Sequence, residues 1–138
     1  MSRAAGIDNC VLLVGRVAMA VLFLPSGIEK FLHYPAFVAS LAGKGLPFPE
    51  LWAPFAVATE AGGGLLLLLG VELRWVALLM VVFVILATAT THRFWEFEGA
   101  ARRGQAVNFY KNIAIIGGLL FLRVSGAGRW SWDGWRRG

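Results

Sequence analysis

LLLLLGVELRWVALLMVVFVILATATT, running from Leu65 to Thr91, decides the architecture. On either side of a short polar turn at Gly70–Arg74, every position is apolar or a small hydroxyl, so no face is left for water. A helix on the surface of a soluble protein keeps a polar stripe, whereas one that is apolar all round is buried in protein or lies in lipid. Two such segments meeting at a tight turn predict an antiparallel helical pair that crosses a membrane. A soluble four-helix bundle needs a polar outer stripe on each helix, and the segment after the turn has none.

The rest of the chain follows the same pattern. Apolar stretches run over about residues 10–32, 51–70, 75–92 and 107–124. Each is close to the roughly 20 residues that a helix needs to cross about 30 Å of hydrocarbon. The 138 residues are 58% hydrophobic and 15% charged, with a mean hydropathy of +0.68. Soluble domains run nearer half apolar and a quarter charged. The expectation is an all-α fold, a four-transmembrane-helix antiparallel bundle, forming one domain over residues 1–138. Five prolines and glycines between His33 and Glu50 (Pro35, Gly43, Gly45, Pro47, Pro49) predict an irregular loop there. Arg93–Gln105 reads as a polar connection, and Ser125–Gly138 as a tail rich in Gly, Arg and Trp. The lone Cys10 excludes an internal disulfide framework and a zinc ribbon.

An even number of spans puts both termini on one side. Arg3, Arg74, Arg123, Arg129, Arg136 and Arg137 fall there, against Lys44, Arg93, Arg102 and Arg103 on the other. The bias of basic residues towards the cytoplasm therefore predicts cytoplasmic N- and C-termini in a bacterial inner membrane. Trp130, Trp132 and Trp135 alternate with the tail arginines, as an interfacial belt with anchoring cations does. Membrane anchoring thus accounts for the net charge of +5, and nucleic acid is not an expected partner. The first segment superficially resembles a signal peptide. Arg16 interrupts its apolar core and hydrophobicity continues past Ala20 to Leu24, so it is expected to remain as a span.

Charges inside these spans are the informative anomaly, because each costs about 2.5–3.5 kcal/mol at a helix centre. Arg16, Glu29 and Lys30 lie in the first segment, Glu60 in the second, His92 at the end of the third, and Lys111 with Asn112 in the fourth. At 100° per residue, Arg16, Phe23 and Lys30 share a side of the first helix, with Ser26 close by. Glu60 shares its face with Ala53, Ala56, Gly63 and Gly64, and small residues let membrane helices approach closely. With cytoplasmic termini, all but Arg16 and the mid-depth Glu60 fall in the outer third of the membrane. These seven residues are expected to converge on one polar pocket of the outer leaflet. Three cations against two carboxylates leave a surplus positive charge, which favours a quinone oxygen or a small anion. A purely structural reading competes at each position. Glu29 and Lys30 can snorkel, Arg16 can pair with Glu60 to fix helix register, and Lys111 with Asn112 can be a packing pair. Glu29, His33 and His92 lie at one depth but lack a fourth ligand in reach, so no metal site is expected. Neither a phosphate-binding loop nor a nucleophile–base pair is visible.

Four ordered motifs resemble the DoxX family. They are Arg16…Phe23-Leu24-Pro25-Ser26-Gly27-Ile28-Glu29-Lys30-Phe31, Glu60-Ala61-Gly62-Gly63-Gly64, the corner His92-Arg93-Phe94-Trp95, and Lys111-Asn112 followed by Gly117-Gly118. The closing Gly128-Arg129-Trp130-Ser131-Trp132-Asp133 is also similar. The resemblance spans nearly the whole chain and implies a small integral membrane protein of four helices. It further implies an association with membrane redox systems, such as a thiosulfate:quinone oxidoreductase or complexes with superoxide dismutase and a sulfurtransferase. The reading is therefore a subunit of a redox-associated complex, at most part of a membrane oxidoreductase. It has no intrinsic cofactor, a quinone is the expected ligand, and lipid with redox partners or further copies of itself surrounds it. Lys30 and Lys111 stabilise negative charge, Asn112 donates a hydrogen bond, and Glu60 or His92 relays protons. The alternative is a non-catalytic membrane scaffold or assembly factor. A small-solute permease is disfavoured by four short helices without a repeat.

Overall fold

A computed structural model describes the backbone of residues 3–137 and the side chains of residues 6–137; the side chain of Arg3, counted above, and Gly138 lie outside that set. The elements are α1 (Arg3–Leu32), α2 (Tyr34–Gly43), α3 (Pro49–Val57), a π turn (Ala58–Gly62), α4 (Gly63–Leu69), α5 (Leu73–Thr91), a 3-10 turn (Phe94–Glu96), α6 (Gly99–Ser125) and α7 (Trp132–Arg137). Four stretches are long and apolar enough to cross a membrane: Gly6–Leu32, Pro49–Leu69, Leu73–Glu96 and Gly99–Ser125. The described residues thus form an all-helical fold with four spans.

Three local expectations need correcting. The stretch His33–Glu50 is not all loop, because α2 fills its first half. Pro35 sits in the first turn of α2, where its missing N–H has no intrahelical partner to lose, so it starts a helix as readily as it ends one. The fourth helix begins at Gly99 and not near residue 107, and the first begins before residue 10. Hydropathy marks the part of a helix in lipid, whereas polar turns such as Arg102-Arg103-Gly104-Gln105 continue the same helix beyond it. The tail also carries structure, in α7.

Contacts fix the helix directions. Lys30 meets Glu60, Leu24 meets Gly64 and Arg16 meets Gly70, so α1 runs antiparallel to the second span. Thr88 meets Asn112 and Arg74 meets Val124, which does the same for α5 and α6. The α1 crossing is close because two glycines allow it. A Cβ on Gly64 would come 2.8 Å from the Leu24 backbone nitrogen, and one on Gly27 would fall 2.9 Å from the Ala61 Cβ. The core is centred on α5, whose Leu73, Ala77, Met80 and Val84 pack with Phe23, Leu67, Leu119 and Leu122. Outward faces are apolar as well: Phe121 and Val124 are each 78% exposed. Extensive exposed apolar surface of this kind belongs in contact with lipid.

Candidate functional site

Ser26 and Lys30 stand four residues apart on α1 and so share a face. The partner that reaches them is Glu60, near the middle of the second span and only 8% exposed. It lies within the π turn Ala58–Gly62. Such turns insert an extra residue, re-aim the side chains around them, and recur at functional sites. Lys30 Nζ donates to Glu60 Oε2 at 2.5 Å and to Ser26 Oγ at 2.7 Å, while Ser26 Oγ donates to the same Glu60 Oε2 at 2.8 Å. The ammonium also lies 5.6 Å from the centre of the Phe37 ring on α2. The pair is partly buried, so removing one member costs less than the roughly 3–5 kcal/mol of a fully buried pair, but leaves the other charge uncompensated. The three groups therefore act as a unit.

Beside this cluster is a cavity of ≈ 440 Å³, a volume that suits a small organic ligand. Its walls are mostly apolar: Phe23 on α1, Phe37 and Leu41 on α2, Trp52 and Phe55 on α3, Phe83 and Val84 on α5, and Ile115 on α6. Phe55 meets Phe83 edge to face at 6.2 Å and Trp52 meets Phe55 at 6.3 Å, forming an aromatic wall. Polar groups enter from two directions. Ser26, Lys30 and Glu60 come from the α1–α3 side, and Thr90, Thr91, His92 and Asn112 from α5 and α6. His92 Nδ1 lies 2.9 Å from Gln105 Oε1 and is the donor in that amide orientation, which leaves Nε2 for a ligand. Asn112 Nδ2 donates to Thr88 Oγ1 at 2.9 Å, and Thr88 donates in turn to the Val84 carbonyl at 2.6 Å. Arg93 Nη2 donates to the Lys44 carbonyl at 3.2 Å, tying the end of α2 to the corner after α5 and holding the covering segment over the cavity.

Of the seven residues singled out from the sequence, the structure gathers Lys30, Glu60, His92 and Asn112 around this cavity. Glu29 and Lys111 are exposed on the outer faces of α1 and α6 and do not line it. Arg16 is buried, at 1% exposure, but at the other end of the bundle. There it donates to the Trp130 carbonyl, with Asp133 as its counter-charge. Its expected convergence with Glu60 is thus corrected, because the tail folds back beneath α1 and supplies a nearer partner. The surplus expected from Arg16 and Lys111 does not reach the cavity, where Lys30 and Glu60 neutralise each other and Lys44 is the remaining cation of the lining. What sequence reasoning missed is the aromatic wall and the α2 cover, whose glycines and prolines suggested a loop. Ser26, four residues before Lys30, was the available signal for the cluster. The Glu29–His33 contact stays local, His33 Nδ1 lying 3.1 Å from the Glu29 carbonyl oxygen. Among the described residues, no three His, Cys, Asp or Glu side chains come together as metal ligands.

The closing motif is explained by the Arg16 corner. Asp133 takes the backbone N–H groups of Glu72 at 2.8 Å and Leu73 at 3.0 Å, capping the start of α5. Its own N–H donates to the Gly70 carbonyl at 3.0 Å. Arg129 N donates to Asn9 Oδ1 at 2.7 Å, and Ser131 Oγ donates to the Gly128 carbonyl at 2.5 Å. These residues lock the tail onto the bundle and touch no part of the cavity.

Known proteins bear on this geometry. Residues 11–93 match the model of the DoxX family, and residues 59–137 match that of the SURF4 family. Inner membrane protein YphA of Escherichia coli is 32% identical over 123 residues, covering 89% of this chain and 88% of that protein. Inner membrane protein YqjF of the same organism is 31% identical over 127 residues, 92% of each chain. The ER-derived vesicles protein ERV29 of Saccharomyces cerevisiae is 27% identical over 86 residues, 62% of this chain and 27% of that protein. No solved structure matches the chain.

Proposed function

Since this chain belongs to the DoxX family and is an integral membrane protein, we propose that it is a quinone-binding subunit of a redox-associated complex in a bacterial inner membrane. The observation that carries this reading is a charged Ser26–Lys30–Glu60 cluster set against an aromatic cavity inside a membrane bundle. A planar head group packed against the Phe55 and Phe83 wall gains dispersion from those rings. Two of the three N–H groups of Lys30 are engaged by Glu60 and Ser26, which leaves the third for a ligand carbonyl. Asn112 keeps its second amide N–H, and His92 its Nε2. A small inorganic anion fits less well. Lys30 is already balanced by Glu60, Lys44 is the one other Lys or Arg in the lining, and most of the wall is apolar.

Reduction of a quinone takes two electrons and two protons. In this reading the Lys30 ammonium beside Glu60 delivers one proton, His92 relays the second from the aqueous side through Nε2, and a partner redox protein supplies the electrons. With cytoplasmic termini, the cavity opens in the outer half of the membrane. The test is the dissociation constant of a short-chain benzoquinone for the protein in lipid nanodiscs. Lys30→Met should weaken binding by about tenfold, the loss of one charge-assisted hydrogen bond of roughly 1.5 kcal/mol, and Glu60→Gln should weaken it by loosening the contact that positions Lys30. Lys111→Met, outside the cavity, should leave it unchanged. Equal affinity in all of these, with folding verified by gel filtration, defeats the proposal.

A second reading draws on Glu29 and Lys111, which are exposed on the outer faces of membrane helices. They suit a scaffold that docks neighbouring proteins. In that case, removing the partly buried pair with Lys30→Met and Glu60→Leu together leaves function intact in whatever protein folds.

A further inference from the structure

A second concavity lies at the termini end of the bundle, where the α4–α5 turn meets the end of α6 and the start of α7. It encloses ≈ 290 Å³, and its lining includes Glu72, Arg74, Trp75, Asp133, Arg136 and Arg137. We propose that it binds the phosphate of an anionic phospholipid headgroup.

The acids in this cavity are already engaged. Both Asp133 oxygens accept backbone N–H groups at the start of α5. Glu72 Oε1 is held by Arg136 Nη1 at 3.3 Å. No ion pair among the described residues includes Arg74, Arg123 or Arg137. Arg123 stands at the rim, 5.3 Å from the Trp75 ring centre, with Nη1 donating to the Arg74 carbonyl at 3.0 Å. Four arginines against two occupied carboxylates leave a local positive surplus. The planar guanidinium fork matches phosphate oxygens two at a time.

Depth selects a lipid. The lipid-facing run of α6 ends at the 78%-exposed Phe121 and Val124, immediately before Gly126 at the cavity wall. Trp75 is 66% exposed on the first turn of α5, and exposed Trp132 and Trp135 stand on α7. Tryptophan concentrates where hydrocarbon gives way to headgroups. The cavity therefore lies at the level of lipid phosphates, and basic pockets between membrane helices take anionic headgroups.

The full-length chain in neutral detergent provides the test, with binding read by native mass spectrometry. Phosphatidylglycerol should be retained at least about tenfold more tightly than phosphatidylcholine. R74Q together with R137Q should reduce phosphatidylglycerol affinity by about tenfold or more, each arginine near an anionic surface being worth roughly fivefold. R102Q with R103Q, at the opposite end, should leave it unchanged. Equal retention of the two lipids, or an equal loss in the R102Q/R103Q protein, overturns the proposal. Displacement of the lipid by millimolar inorganic phosphate also overturns it, because the site is then one for a soluble anion. If R74Q/R137Q does not fold, the comparison of the two lipids on the wild type decides.

Discussion

Arg16 and Glu60 are the deepest charges along the spans, and each finds its contacts at its own end of the bundle, although Arg16 Nε and Nη1 stay buried without a hydrogen-bond partner among the described residues. Arg16 anchors the returning tail through the Trp130 carbonyl, whereas Glu60 closes a triangle with Lys30 and Ser26. Their substitutions should therefore separate cleanly. Arg16→Ala removes the partner of the part-buried Trp130 carbonyl and a favourable charge near Asp133, an expected loss of about 1–3 kcal/mol. Limited proteolysis reports it: trypsin should cut the tail at Arg123 and Arg129 in the variant under conditions that leave the wild type whole. Quinone binding by the surviving folded protein should be unaffected, in contrast to Glu60→Gln. Both residues were legible in the sequence as costly intramembrane charges. The Lys30–Glu60 partnership was not, because helix periodicity gives a side chain's face but not its neighbour on another helix. The Arg16 contact lay further out of reach, since it depends on a tail whose Gly128 and Ser131 turn it back 114 residues along the chain.

The elements divide according to how local their causes are. The four spans follow from runs of apolar residues long enough to cross a bilayer, a property visible in any window of the sequence. The π turn and α2 do not. A π turn arises when packing against a neighbour, here the approach of Gly27 to Ala61, makes an extra residue fit best. For α2, a proline read as a breaker proved to be an N-terminal residue. Close packing of α1 on α4 makes a prediction of its own. Gly64→Ala places a methyl against the Leu24 backbone and should destabilise by about 1–3 kcal/mol. Gly117→Ala on α6, where a Cβ meets nothing within 4 Å, should be neutral or stabilising by up to about 1 kcal/mol. Thermal unfolding in one detergent, monitored by circular dichroism, compares the two. Equal melting temperatures would show that the α1–α4 crossing is looser than described.

Taken whole, the molecule is largely apolar outside as well as inside, apart from Glu29 and Lys111 on its outer faces, and it holds two polar cavities. One end holds the locked tail and the arginine cavity; the other holds the aromatic cavity under α2. Basic residues favour the termini side, so both termini are expected in the cytoplasm. In a Cys10→Ser background, a cysteine at Gly104 should react with a membrane-impermeant maleimide added to intact cells, and one at Arg136 only after lysis. The reverse pattern would move the aromatic cavity to the inner leaflet. The central claim, that this cavity holds a quinone, is tested most directly by a photoactivatable quinone on the wild-type protein in nanodiscs, with labelled peptides mapped by mass spectrometry. Labels are expected on Phe37, Trp52, Phe55 or Phe83, suppressed by excess unmodified quinone. Labels confined to outward residues such as Phe121 and Val124, and insensitive to competition, would contradict it.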